Sequence, residues 1–179
     1  MSITNDALFF PVSPELCISF YEAIKETFVA MFGNEPVFLE SDESHPGEII
    51  IGIISLVGDI KSSMILMVPK STATTLALKF TCSDIDYDSP DMSDIIGEIS
   101  NIIAGDVVAR LKARGIWTAL SLPMIARGTD AKVQWPSELP SRTQRFTSSD
   151  GEFRSKIVAG WPGQWWKKVS GLNYNSAQG

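Results

Sequence analysis

An α+β domain with a mainly antiparallel sheet is the fold this sequence predicts, and three observations carry the prediction. Two long segments show helical apolar spacing and a third, shorter one repeats it. Runs of β-branched residues come in pairs around turn dipeptides, the mark of hairpins. The order is helix, strands, helix, helix, strands, without the strand–helix alternation of a parallel sheet. With 179 residues, 44% of them hydrophobic, the chain can bury roughly 70% of the surface it exposes when unfolded, enough for one core without disulfides or a structural metal.

Residues 13–32 place Leu16, Phe20, Ile24, Phe28 and Met31 on one helical face, with Ser13 as cap, Pro14 as first helical residue and Gly33-Asn34 as stop. Residues 36–40 read as a short strand and 41–47 as a polar loop; 48–58 and 60–68 then form a hairpin around Gly58-Asp59. The shorter helix covers 69–82 and begins at Pro69 or Lys70, although Thr74 and Thr75 lower its intrinsic propensity. An acidic stretch, 83–89, leads to the second long helix over about 90–114, opened by Ser89-Pro90-Asp91-Met92 and ended before Gly115. Strands follow at 116–126, 129–135, 143–148 and 152–159, the last two flanking Asp150-Gly151, a hairpin dipeptide. Pro123 requires an edge, a bulge or a strand end, because it cannot donate to a ladder. The domain is expected over 1–160, with 161–179 as a Trp-rich tail.

The openings of the two long helices match in type, Ser13-Pro14-Glu15-Leu16 against Ser89-Pro90-Asp91-Met92, which sets Glu22 opposite Glu98, Ile18 opposite Asp94 and Lys25 opposite Asn101. Two related halves and a coincidence of two capping signatures both account for this.

Composition excludes several functions. Lys and Arg number 15 against 21 Asp and Glu, a net charge of -6, the wrong sign for neutralising many phosphates of a nucleic acid. Cys17 and Cys82 are too far apart and too apolar in setting for a zinc site and read as small core residues. The single histidine, His45, sits in the acidic loop, leaving nothing to build a histidine triad or zinc ligand set. The glycines form no phosphate or dinucleotide loop. No run of about 20 apolar residues could span a bilayer, and the opening residues lack a basic region and apolar run of signal-peptide type, so the cytoplasm is the expected location.

The helix over 90–114 carries the chemistry. At about 100° per residue, Asp94, Glu98 and Asn101 fall within an arc of roughly 60°, with Gly105 beneath them and Ile96, Ile99, Ile103 and Val107 opposite. A polar outer face is what any amphipathic helix has. Asn and Gly in mid-helix are nevertheless poor helix formers where Ala or Lys would stabilise more, so another requirement favours them. A carboxylate and a carboxamide one turn apart can enter a partner's cleft together, and Gly105 lets another chain approach closely.

Asp94-x3-Glu98-x2-Asn101, followed by Pro123 in the next strand, resembles the signature of the CheC, CheX and FliY family of chemotaxis phosphatases. The segment Ile96-Gly97-Glu98-Ile99-Ser100-Asn101-Ile102-Ile103-Ala104-Gly105 is similar to the family's helix core. Ser121-Leu122-Pro123 resembles its following strand, and residues 52–59 the hairpin before its middle helix. In element order the likeness spans about 13–160. Between Asn101 and Pro123 lie 21 residues, one fewer than the family's usual spacing. Ile18 and Lys25 stand where a second copy of the site would need Asp or Ser and Asn, so one site per chain is expected, as in CheX.

The resemblance implies a CheC/CheX-like fold whose two long helices frame a single site. It also implies hydrolysis of the aspartyl phosphate on a CheY-like response regulator, with no cofactor of the chain's own and magnesium held by the receiver domain. Asn101 would hold the attacking water, since a carboxamide both donates and accepts yet is not repelled by phosphate. Glu98 would pair with the receiver's lysine, and Asp94 would support the ridge or touch the partner's rim. A noncatalytic module that docks a receiver domain is the other reading. The resemblance further favours a homodimer. Trp161, Trp165 and Trp166 beside Lys167 and Lys168 would pack over a sheet edge or another subunit, or anchor at a membrane interface.

Overall fold

The computed structural model describes residues 12–39, 47–131 and 139–159. The elements are α1 (Pro14–Phe32), β1 (Val37–Leu39), β2 (Glu48–Gly58), β3 (Ser62–Pro69), α2 (Lys70–Thr81), α3 (Pro90–Ala113), β4 (Thr118–Leu120), β5 (Met124–Thr129), β6 (Ser141–Ser148) and β7 (Gly151–Ala159). The strands form one sheet in the order β1-β6-β7-β3-β2-β4, with β5 also on β2, and every pairing is antiparallel. The predicted α+β architecture is the one observed.

The two long helices start alike. Ser13 Oγ accepts from the Leu16 N–H and Ser89 Oγ from the Met92 N–H, each at 3.4 Å, and a proline fills the first helical position of both. α1 stops at Gly33, whose φ of 73° is left-handed and whose N–H donates to Val29 O. α2 has no side-chain cap, and its helical character is fixed by packing of Thr72, Ala73, Leu76 and Ala77 rather than by propensity.

Pleating separates two apolar sets on the central hairpin. Ile50, Ile54, Leu56, Met64, Leu66 and Val68 face the helices, within a core that includes the stacked rings of Phe28, Phe153 and Phe146, 4.5 and 5.1 Å apart. Ile49, Ile51, Ile65 and Met67 face the other way and are buried there, with Ala131 and Leu139 packed against them.

Three expectations change. The strand expected over 116–126 is interrupted, β4 ending at Leu120 and β5 starting at Met124, so Pro123 lies at a break in an edge. Of the strand expected over 129–135, Thr129 ends β5 and the chain leaves the sheet at Asp130. Asp130 adopts a left-handed φ of 51°, and its carboxylate accepts from the Gly47 N–H at 2.7 Å while its own N–H donates to Gly47 O. Cys17 is buried as expected, but Cys82 is exposed, since it occupies the left-handed position that ends α2. His45, residues 132–135 and the tail over 161–179 lie outside the described residues.

A polar staple joins both helix ends to the β6–β7 turn. The Asp150 side chain, only 4% exposed, pairs with Lys79 Nζ at 2.5 Å and accepts from Asn34 Nδ2 at 2.5 Å, while Lys79 also donates to Phe32 O. Asp150→Ala takes one partner from the amide and one from the ammonium, each of which keeps a bond to Phe32 O, and is expected to cost about 1–3 kcal/mol, less than a fully buried pair because Lys79 keeps access to water. The midpoint of urea unfolding measures this; an unchanged midpoint would show the staple contributes nothing.

Candidate functional site

α3 is seated on the sheet by one close approach. A Cβ added at Gly52 of β2 would lie 2.2 Å from Ser100 Oγ, so the helix backbone comes nearer the sheet than any side chain at 52 permits. Ser100 is buried there and returns its hydroxyl hydrogen to Ile96 O at 2.7 Å. At Gly97 the spacing is ordinary, an added Cβ standing 3.7 Å from both Pro123 Cγ and Ile125 Cδ1. Ile96, Ile99, Ile103 and Val107 are buried against the sheet.

That seating turns the opposite face outward. Asp94, Glu98, Asn101 and Gly105 are all exposed, as the helical spacing predicts. Among the described residues no hydrogen bond or ion pair engages the side chains of Asp94, Glu98 or Asn101. A Cβ at Gly105 would meet nothing within 4 Å, so the fold itself does not require glycine at that point. Pro123 is half-buried and faces Gly97, one turn before Asn101 in the same column of the helix.

Both ends of α3 are fastened. At the start, Arg127 of β5 donates through Nη2 to Ser89 O at 2.5 Å and to Ser93 Oγ at 2.6 Å. Its guanidinium lies 5.5 Å from the ring of Tyr87, whose phenol burial pushes upward in pKa. Towards the other end, Arg110 bonds Asp106 on its own helix and reaches Glu22 and Glu26 of α1, while Arg114 meets Ser19 and Glu22. The Glu26 carboxylate is the chief reason the Arg110 guanidinium holds its proton above the ordinary range. Sequence reasoning missed Arg127, Ser93 and Arg110, because their partners come from other elements and no local spacing announces them.

The same contacts settle what α1 offers. Glu22, opposite Glu98 in the alignment of helix openings, is engaged by Arg110 at 2.9 Å, and Lys25 is paired with Glu35. A groove of about 650 Å³ does run along α1, lined by Ile18, Tyr21, Glu22, Lys25, Arg142 and Gln144, but Ile18 and Lys25 stand there where a second copy of the site would need Asp or Ser and Asn. The ridge on α3 is an exposed protrusion, suited to entering a cleft rather than forming one. No described helix is long and apolar enough to cross a membrane.

Comparison with known proteins bears on the fold and the family. No curated protein matches the chain. Solved structures do. CheX from Desulfovibrio desulfuricans superposes with a TM-score of 0.71 at 19% identity, covering 82% of this chain and 99% of that one. CheX from Vibrio vulnificus gives 0.72 at 19%, with the same coverage. The Borrelia burgdorferi CheX of a CheX–CheY–BeF3–Mg2+ complex gives 0.66 at 22%, covering 80% and 96%. These likenesses establish a shared fold. The family described as chemotaxis phosphatase CheX matches residues 50–147, more than half of the sequence, from the central hairpin through α3 and into β6. That stretch contains the ridge, the proline beside it and the glycine on which the helix is seated, and on it the chain belongs to the CheX family of chemotaxis phosphatases.

Proposed function

We propose that this chain hydrolyses the aspartyl phosphate of a CheY-like response regulator, with α3 entering the receiver's phosphorylation cleft. The observation that supports it most is the unengaged Asn101 amide on an exposed ridge beside Glu98. Asn101 accepts one water hydrogen through Oδ1 and holds the oxygen in line with phosphorus. As that oxygen bonds to phosphorus, the bond to the aspartyl oxygen breaks, yielding inorganic phosphate and a free carboxylate. An uncharged amide does this without the repulsion a carboxylate would meet. Glu98 pairs with the receiver's lysine and fixes the register of the helix, while Asp94 supports the rim. Gly105 leaves clearance for the partner's backbone, and Pro123 buttresses Gly97 behind Asn101. The metal belongs to the receiver domain. A cytoplasmic homodimer, with residues 1–160 as the phosphatase domain, completes the reading.

The Borrelia burgdorferi relative was solved together with CheY, BeF3 and Mg2+, which supports a receiver domain as the partner. The test is phosphate release from several phosphorylated receiver domains of the same genome, with and without the chain. Acceleration of at least one supports hydrolysis; binding without acceleration of any leaves a docking module instead. Glu98→Ala is expected to weaken both binding and turnover, each by about tenfold, the effect of losing one charge-assisted contact. Equal kinetics for that variant and wild type would remove Glu98 from the site.

A further inference from the structure

The sheet touches α3 at two stations, and β5 serves both. In the ladder between β2 and β5, Gly52 pairs with Ile125 and Ile50 with Arg127, so the two β5 side chains lie on the helix face together with Ile50. Ile125 Cδ1 stands 3.7 Å from the Cβ positions of both Gly52 and Gly97, beside the close approach of Ser100 to the sheet. Arg127 Nη2 meets the opening turn of the helix instead, at Ser89 O and Ser93 Oγ. Ser93 and Ser100 are separated by about 10 Å of helix. The close approach is thus a fulcrum, and Arg127 holds the far end of the arm. Met92 and Ile96 are buried beneath that arm, but apolar contact is non-directional. The two bonds from the guanidinium set its direction.

This arginine is costly where it stands. Among the described residues its buried Nε has no partner, and neither does the buried hydroxyl of Tyr87, the ring it lies against. A stranded donor opposes folding, and an apolar side chain of similar length would avoid it. What the arginine supplies in return is a fixed bearing for the first turn of α3. We propose that Arg127 is a positioning residue for receiver binding, acting through Ser93 on Asp94. This rests on the function proposed above. If the amino-terminal arm lifts about the fulcrum, each ridge residue moves in proportion to its distance from Ser100, roughly 9 Å for Asp94, 3 Å for Glu98 and 1.5 Å for Asn101. Asp94 therefore moves about six times as far as Asn101. Losing the tether loosens the contact at the partner's rim and leaves the amide that holds water in place, so affinity falls while turnover at saturation does not.

The test compares the full-length chain with Arg127→Met, Arg127→Lys, Ser93→Ala and Asp94→Ala. A phosphorylated receiver domain gives KM and kcat, and the same receiver carrying beryllofluoride on its aspartate gives Kd. Arg127→Met is expected to raise KM and Kd about fivefold with kcat changed less than about twofold, and Ser93→Ala to act in the same direction but less. Arg127→Lys keeps the charge and a donor and should return KM to within about twofold of wild type. In the Asp94→Ala background, Arg127→Met should add less than about twofold, because the residue it acts through is gone. A purely structural role reads differently: fewer folded molecules lower the apparent kcat and leave KM unchanged. That pattern overturns the proposal, as do unchanged KM and Kd or full additivity with Asp94→Ala. If Arg127→Met does not fold, Ser93→Ala and its cycle with Asp94→Ala decide on the same terms. Should wild type bind the activated receiver yet release no phosphate, the catalytic reading falls and Kd alone decides Arg127. Absence of both binding and turnover overturns both.

Discussion

Asn101→Ala is expected to lower kcat for release of phosphate from a phosphorylated receiver domain by about 10²- to 10³-fold, the scale seen when one preorganised polar group is removed from a transition state. Binding of the receiver should change little, because Asn101 bonds to none of the described residues and Glu98 keeps the proposed electrostatic contact. Stability should be unaffected or slightly raised, since alanine is the better helix former at an exposed position. The diagnostic is therefore a loss confined to turnover, measured by single-turnover phosphate release beside receiver binding and urea unfolding. A purified variant as fast as wild type would show that Asn101 does not position the water.

Gly52→Ala should produce a large structural effect for a single methyl group. The added carbon would lie 2.2 Å from Ser100 Oγ and 3.2 Å from Ser100 Cβ, so either the serine rotates away from Ile96 O or α3 lifts from β2. Overpacking of this kind costs about 1–3 kcal/mol, and Gly52→Val exceeds that. Because the ridge rides on the same helix, turnover should fall with stability. Pairing the change with Ser100→Ala removes the closest clash and should recover part of the loss, leaving the 3.2 Å contact to be absorbed. Equal unfolding midpoints for wild type and Gly52→Ala would mean that the helix does not depend on this approach.

Much of this arrangement was legible in the sequence for local reasons. Ser13-Pro14 and Ser89-Pro90 announce the helix starts, and Gly33 one of the stops, because capping needs only neighbours in the chain. The hairpin of β2 and β3 follows from two β-branched runs, and the outward ridge from helical periodicity alone. Other features depend on partners far along the chain. Nothing near Arg127 indicates that it holds Ser89 and Ser93, 38 and 34 residues away. Gly52 looks like a weak point in a strand until Ser100 is laid over it. Pro123 did signal an edge or a bulge, but the break on both sides of it, and hence the shortened β4, is set by register against β2. Asp130 reads as part of an alternating strand, whereas its bonds to Gly47 turn the chain away.

Arginines secure α3 from two directions, Arg127 from the sheet and Arg110 with Arg114 towards α1. A blade mounted in this way has little freedom to roll or slide. In the proposed encounter, accommodation would fall to the receiving protein, and the entropy of orienting the helix would be settled during folding rather than at each collision, leaving only the Asn101 side chain to be ordered on contact.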